Sequence, residues 1–125
     1  SNFKNLRSFF SKFQDLFELP VQLKGLITPW LAYPVIIKSR TKINRQKLQI
    51  FLEKSGIQTR TIFTGNILRQ PIMKKRIYKK VKNAEVNSNS VMTSGILIGC
   101  HHGLTIKDLN YIIKVFIRFI KKIPK

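Results

Sequence analysis

The stretch from Gly56 to Pro71, G-I-Q-T-R-T-I-F-T-G-N-I-L-R-Q-P, gathers the residues of this chain best suited to hold a ligand. Arg60, Asn66, Arg69 and Gln70 carry forked or two-sided polar heads that suit phosphates, carboxylates and sugar hydroxyls. Gly65 and Pro71 bracket the densest part, so the backbone there is shaped rather than free. Binding residues concentrate on surface loops held between structured elements. Spacing alone leaves a plainer reading of Arg60 and Arg69 open, as two solvated cations flanking a turn.

The elements that must position this loop are legible as periodicity and punctuation. Phe3, Leu6, Phe10, Phe13 and Phe17 recur at three- and four-residue steps, which predicts one helix ending before Pro20. Residues 20–30 carry Pro20, Gly25 and Pro29 and read as an irregular crossing. Leu31 to Lys38 has strand content, with Pro34 suggesting an edge or a start. Asn44 is a plausible N-cap, Ile43 and Leu48 stand at staple positions, and Gly56 fits the left-handed end of the next helix. A second strand is expected over Gln58 to Phe63. Asn83 to Ser94 is polar and reads as a short helix. Ile96 to Cys100 reads as a wholly apolar strand, buried on both faces. Thr105 and Asp108 make a capping pair for a tail helix with Leu109, Ile112, Phe116 and Ile120 as its stripe. The expected fold is α/β: a three-stranded sheet covered by helices on one face.

The 125 residues suffice for one domain with a real core. The chain begins at Ser1 and turns helical at once, so it is expected to be a piece of a larger protein. Its 24 Lys and Arg against 5 Asp and Glu give a net charge of +19, which attracts polyanions. The cations are spread along the chain, with Arg76 to Lys82 the one dense run. The joint abundance of Lys, Ile and Asn is also what A- and T-rich coding produces. One cysteine, Cys100, excludes an internal disulfide and makes a reducing, cytoplasmic setting the default. No apolar run is long enough to span a bilayer.

Three blocks, taken in order, resemble one family: T-P-W-L-A-Y-P-V-I-I-K at 28–38, the Gly56–Pro71 stretch with its G-N-x-x-R-Q-P core, and N-A-E-V…V-M-T-S-G-I-L-I-G-C-H-H-G-L-T at 83–105. Together they are similar to the C-terminal domain of DegT/StrS-type sugar aminotransferases, in the branch of nucleotide-sugar 3-dehydratases and perosamine-type aminotransferases of lipopolysaccharide synthesis. The resemblance implies the small domain of the aspartate-aminotransferase fold (fold type I). It implies residues 1–19 as the helix joining two domains and 20–125 as the small domain. It implies pyridoxal phosphate as the cofactor of the complete enzyme, a nucleotide-sugar substrate, a large N-terminal cofactor domain as partner, and a homodimer. The cofactor-binding Lys, or the His that replaces it among the dehydratases, would precede Ser1, as would the acidic partner of the pyridine nitrogen. The five acidic residues here, Asp15, Glu18, Glu53, Glu85 and Asp108, all read as solvent-facing or capping positions on helices. The chain alone is therefore expected to be catalytically silent. On this resemblance Asn66, Arg69, Gln70 and Arg60 are substrate-binding candidates.

Other chemistries fare worse. Cys100, His101 and His102 are adjacent, so their side chains alternate in direction and do not chelate one ion; no spaced partner completes a set. The tail helix, with Lys107, Lys114, Arg118, Lys121 and Lys122, could lie on an anionic membrane or bind RNA. A core-packed helix with a solvated basic face is the better account. No phosphate-loop or dinucleotide fingerprint and no Ser/His/acid set occurs. Neither nucleic acid nor membrane is expected as a partner; the rival reading is a small basic nucleic-acid-binding module.

Overall fold

A computed structural model describes residues 1–79 and 81–124; of the basic run Arg76 to Lys82, Lys80 lies outside the described residues. Four helices, α1 (Asn2–Phe10), α2 (Arg45–Lys54), α3 (Glu85–Ser94) and α4 (Ile106–Ile120), accompany four strands, β1 (Phe17–Glu18), β2 (Ala32–Ile37), β3 (Thr59–Thr61) and β4 (Gly95–Gly99). The strands form one antiparallel sheet in the order β1-β2-β4-β3. The α/β class stands, but the sheet has four strands where the sequence indicated three.

The fourth strand comes from the expected first helix. That helix ends in a 3-10 turn at Ser11–Phe13, and Phe17 belongs to β1, opposite Ile37. Its helical spacing marked burial correctly, since Phe17 is 1% exposed, but not conformation. The pull is tertiary. The Leu16 carbonyl accepts from Lys38 N–H at 3.0 Å or less (2.9 Å), and the two residues that follow cover the end of an otherwise open strand edge. Glu18 accordingly sits on a strand rather than a helix.

Pro34 lies inside β2, opposite Leu97 of β4. Leu31 O accepts from Cys100 N–H, so bonded positions toward β4 alternate at 31, 33 and 35. The imide nitrogen of Pro34 therefore faces the other side, where β1 reaches only Ile36 and Ile37. A proline is tolerated there because no donor is required.

Tyr33, Val35, Ile37, Ile96 and Ile98 point to the face that carries α1, α2 and α4, and all are buried. The centre is aromatic: Phe10 stacks on Tyr33 at 5.4 Å and meets Phe116 edge-on at 4.9 Å, while Phe3 stacks on Trp30 at 4.4 Å. Phe3, Phe10 and Phe116 are thus core, and Phe51 packs on Phe119. β4 is central, with Ile96 and Ile98 buried and Leu97 half-buried on the opposite face.

The caps behave as their residues dictate. Asn44 accepts from Lys47 N–H at 2.9 Å. Gly56 takes φ +74°, and the bonds Gly56 N–H to Glu53 O and Ile57 N–H to Leu52 O close a Schellman end to α2. Thr105 and Asp108 form the reciprocal capping box of α4. Those bonds hold the Asp108 carboxyl below its ordinary range, Thr105 being the main cause.

Candidate functional site

The loop after β3 is built around one buried amide. Asn66 is 1% exposed, the only buried polar residue among those described. Its Oδ1 accepts from Leu68 N–H at 2.9 Å, starting the 3-10 turn Ile67–Arg69. Its Nδ2 donates to Asn89 Oδ1 of α3 at 2.8 Å. Gly65, at φ +71°, lies directly beneath α3, where any Cβ would come within 2.6 Å of Met92 Cβ. Pro71 opens a second 3-10 turn, Pro71–Lys75. The loop is therefore clamped to α3 by a hydrogen bond and by close backbone approach, a pairing that spans 23 residues of sequence.

The clamp sets what the loop offers. Arg69 is exposed, and its guanidinium makes no hydrogen bond to the described residues. Gln70 is half-buried, its Nε2 donating to Thr64 O at 3.4 Å. Asn66 is on the same loop, but both ends of its amide are used within the chain.

Arg60 is elsewhere. It stands opposite Leu97, which stands opposite Pro34, on the sheet face away from α1, α2 and α4. Beside it Glu53 accepts from Thr59 N–H and Oγ1 at 2.5 and 2.8 Å. Those two bonds lower the Glu53 pKa, with a smaller contribution from Arg60. Arg60 lines a groove of about 600 Å³ at the corner where β4 ends and β3 begins. Leu31, Leu97 and Leu104 supply apolar surface there, and His101 and Lys107 stand with Arg60 on its walls. The groove was not legible in the sequence: its parts lie in four separate segments, and Lys107 reads only as one more solvated cation of the tail helix. His102 lies in a different depression, beside Trp30 and Cys100. Cys100 is buried, which raises its pKa. Among the described residues no group of three His, Cys, Asp or Glu is placed to hold a metal, and no helix is long and apolar enough to cross a membrane.

A small antiparallel sheet backed by helices in this order is the small-domain fold of the fold type I enzymes. Residues 2–117 match the DegT/DnrJ/EryC1/StrS aminotransferase family, and the chain belongs to that family. It is 30% identical over 119 residues to the lipopolysaccharide biosynthesis protein RfbH of Salmonella typhimurium, covering 95% of this chain and 27% of that protein. It is 30% identical over 112 residues to the GDP-4-keto-6-deoxy-D-mannose 3-dehydratase of Escherichia coli O55:H7, covering 90% and 29%. A structure of the E. coli GDP-4-keto-6-deoxy-D-mannose-3-dehydratase with bound hydrated PLP superposes with a TM-score of 0.72 at 27% identity, covering 91% of this chain and 29% of that one. An aminotransferase from Psychrobacter cryohalolentis shares the fold at a TM-score of 0.76 and 9% identity, covering 98% and 33%. The chain spans under a third of the length of these relatives.

Pyridoxal phosphate requires an acidic partner for its pyridine nitrogen in a site closed to water. Asp15, Glu18, Glu53 and Asp108 are exposed, and Glu85 is half-buried in the first turn of α3. Glu53 and Asp108 are also committed to Thr59 and Thr105. The residues described here do not by themselves fit the cofactor.

Proposed function

We propose that this chain is the C-terminal, substrate-closing domain of a pyridoxal phosphate-dependent nucleotide-sugar aminotransferase or 3-dehydratase, acting on a 4-keto-6-deoxy sugar for lipopolysaccharide or O-antigen synthesis. The complete enzyme would pair it with an N-terminal cofactor domain and work as a homodimer; alone, the chain would be inactive. Family membership over residues 2–117 supports the class. The observation that carries the domain's role is the clamped loop, in which buried Asn66 fixes a turn that leaves the Arg69 guanidinium exposed and without a hydrogen bond to the described residues.

In this reading Arg69 meets a phosphate or sugar oxygen with paired N–H donors, and Gln70 adds one amide contact at the rim. Asn66 acts through the loop it holds. Arg60, beside Leu97 on the same sheet face, takes part only where the substrate extends past the loop. Closure of the domain would exclude water from the reacting carbon. In the complete enzyme that carries this domain, Arg69→Ala is expected to lower kcat/KM by about 10- to 100-fold, the loss of one charge-assisted contact of about 1.5–3 kcal/mol. Unchanged kinetics would overturn the role. A basic nucleic-acid module predicts instead that the isolated chain binds RNA or DNA with a steep inverse salt dependence.

A further inference from the structure

We infer that the groove at the β3–β4 corner is a second binding site, for an organic anion with an apolar body, separate from the loop of Asn66, Arg69 and Gln70. Three observations carry this. Its volume, about 600 Å³, lies within the range of small-molecule sites. Its surface combines Leu31, Leu97 and Leu104 with three side chains that can meet an anion, Arg60, His101 and Lys107. The one carboxylate on its wall, Asp108, is held at the start of α4, where it accepts from Thr105 N–H and Oγ1 at 2.8 and 2.7 Å. Glu53, the nearest acid to Arg60, is likewise held by Thr59. Asp108 and Glu53 keep their charge beside Lys107 and Arg60, but among the described residues neither forms an ion pair with them, so both cationic heads can turn to a ligand above a floor that favours apolar contact.

The strand directions separate this groove from the loop. β2 and β3 both run antiparallel to β4, so the loop leaving β3 shares the end of the sheet where β4 begins. The groove is at the end where β4 finishes. Arg60, in the middle of β3, turns its side chain to the groove. The occupant fits one chemistry: a carboxylate or phosphate head for Arg60 and Lys107, with a short aliphatic or aromatic body on Leu97 and Leu104. A guanidinium serves either head in bidentate fashion, so the head is left to the experiment.

The test uses the 125-residue chain and 1-anilinonaphthalene-8-sulfonate, a planar apolar probe with one anionic group. Fluorescence titration at moderate salt is expected to show one saturable site. Amide NMR shifts are expected to map to Leu97, Gly99, Arg60 and Lys107. Arg60→Gln and Lys107→Gln are each expected to weaken binding about tenfold, and Leu97→Gln to weaken it comparably. Lys121→Gln, which removes the same charge from the far end of α4, is expected to leave affinity within twofold. Competition by hexanoate and by hexyl phosphate then assigns the head group, displacement by either supporting the site. Far-UV circular dichroism checks that each variant is folded; a variant that unfolds is replaced by Arg60→Lys, which keeps the charge but not the fork and is expected to weaken binding severalfold. Several weak sites, equal loss with Lys121→Gln, or shifts confined to residues 62–79 would overturn the inference.

Discussion

Asn66→Ala is expected to destabilise the chain by about 3 kcal/mol. The magnitude follows from what the side chain holds. A neutral hydrogen bond contributes about 1 kcal/mol net, and a buried partner left unpaired costs about 1–3 kcal/mol. Asn66 makes two such bonds, to Leu68 N–H and to Asn89 Oδ1. Both partners belong to half-buried residues, so water recovers part of the loss and the lower figure of about 1.5 kcal/mol per bond applies. For a domain of this size 1 kcal/mol moves the melting temperature by about 3–4 °C, so Tm should fall by about 10 °C.

The assay is thermal and urea unfolding followed by circular dichroism, run as a double-mutant cycle with Asn89→Ala. The Nδ2–Oδ1 bond should appear as a coupling of about 1 kcal/mol. Asn66→Asp sharpens the result. It keeps the acceptor for Leu68 N–H but sets a buried carboxylate against Asn89, whose amide must turn round to donate. It should therefore also destabilise, and increasingly so as pH rises through the carboxylate range. An Asn66→Ala chain within about 0.5 kcal/mol of the parent, or strict additivity with Asn89→Ala, would refute the clamp.

Two further substitutions test neighbouring claims. Gly56 and Gly65 both hold positive φ, at +74° and +71°, yet only Gly65 is crowded; Gly56→Ala should cost about 1–2 kcal/mol of left-handed strain, and Gly65→Ala clearly more, because its Cβ would meet Met92 backbone and side chain under 3.0 Å. Equal costs in urea unfolding would contradict that packing. Burial pushes the Tyr33 phenol from 10.0 up to about 12, and its hydroxyl has no partner among the described residues. Between those values the unfolded chain releases a proton that the folded chain keeps, so stability is full below pH 10 and falls by about 2–3 kcal/mol as pH rises to 12. Tyr33→Phe should abolish that part of the alkaline loss and be neutral to stabilising at pH 7, read as parallel pH–stability curves that diverge only above pH 10.

What was legible in the sequence was what neighbouring residues decide among themselves. Asn44 and Gly56 bound α2 because a cap and a left-handed residue act over three or four positions. The Thr105–Asp108 box starts α4 for the same reason. What was not legible depends on partners far along the chain. Phe17 keeps helical phase with Phe10 and Phe13, yet it pairs with Ile37, and nothing local distinguishes a buried helical phenylalanine from a buried strand one. Asn66 read as a ligand contact because an amide in a loop is ordinarily free; only the placement of Asn89, in a helix whose own sequence is featureless, shows it to be engaged.

That last point changes what the loop's residues can be asked to do. A buried amide that bonds within the chain at both ends fixes the turn that carries Arg69. Binding groups gain from such pre-organisation, because a cation held on a set turn loses little freedom when it meets an anion. Arg69 has that arrangement: Asn66 starts the turn that ends with it, Pro71 follows two residues later, and α3 backs the segment through Asn89. Arg60 reaches its place by a different route, through β3 register opposite Leu97. Two arginines nine positions apart in one motif are thus held by independent devices, a side-chain clamp and a strand, and each should respond only to damage to its own.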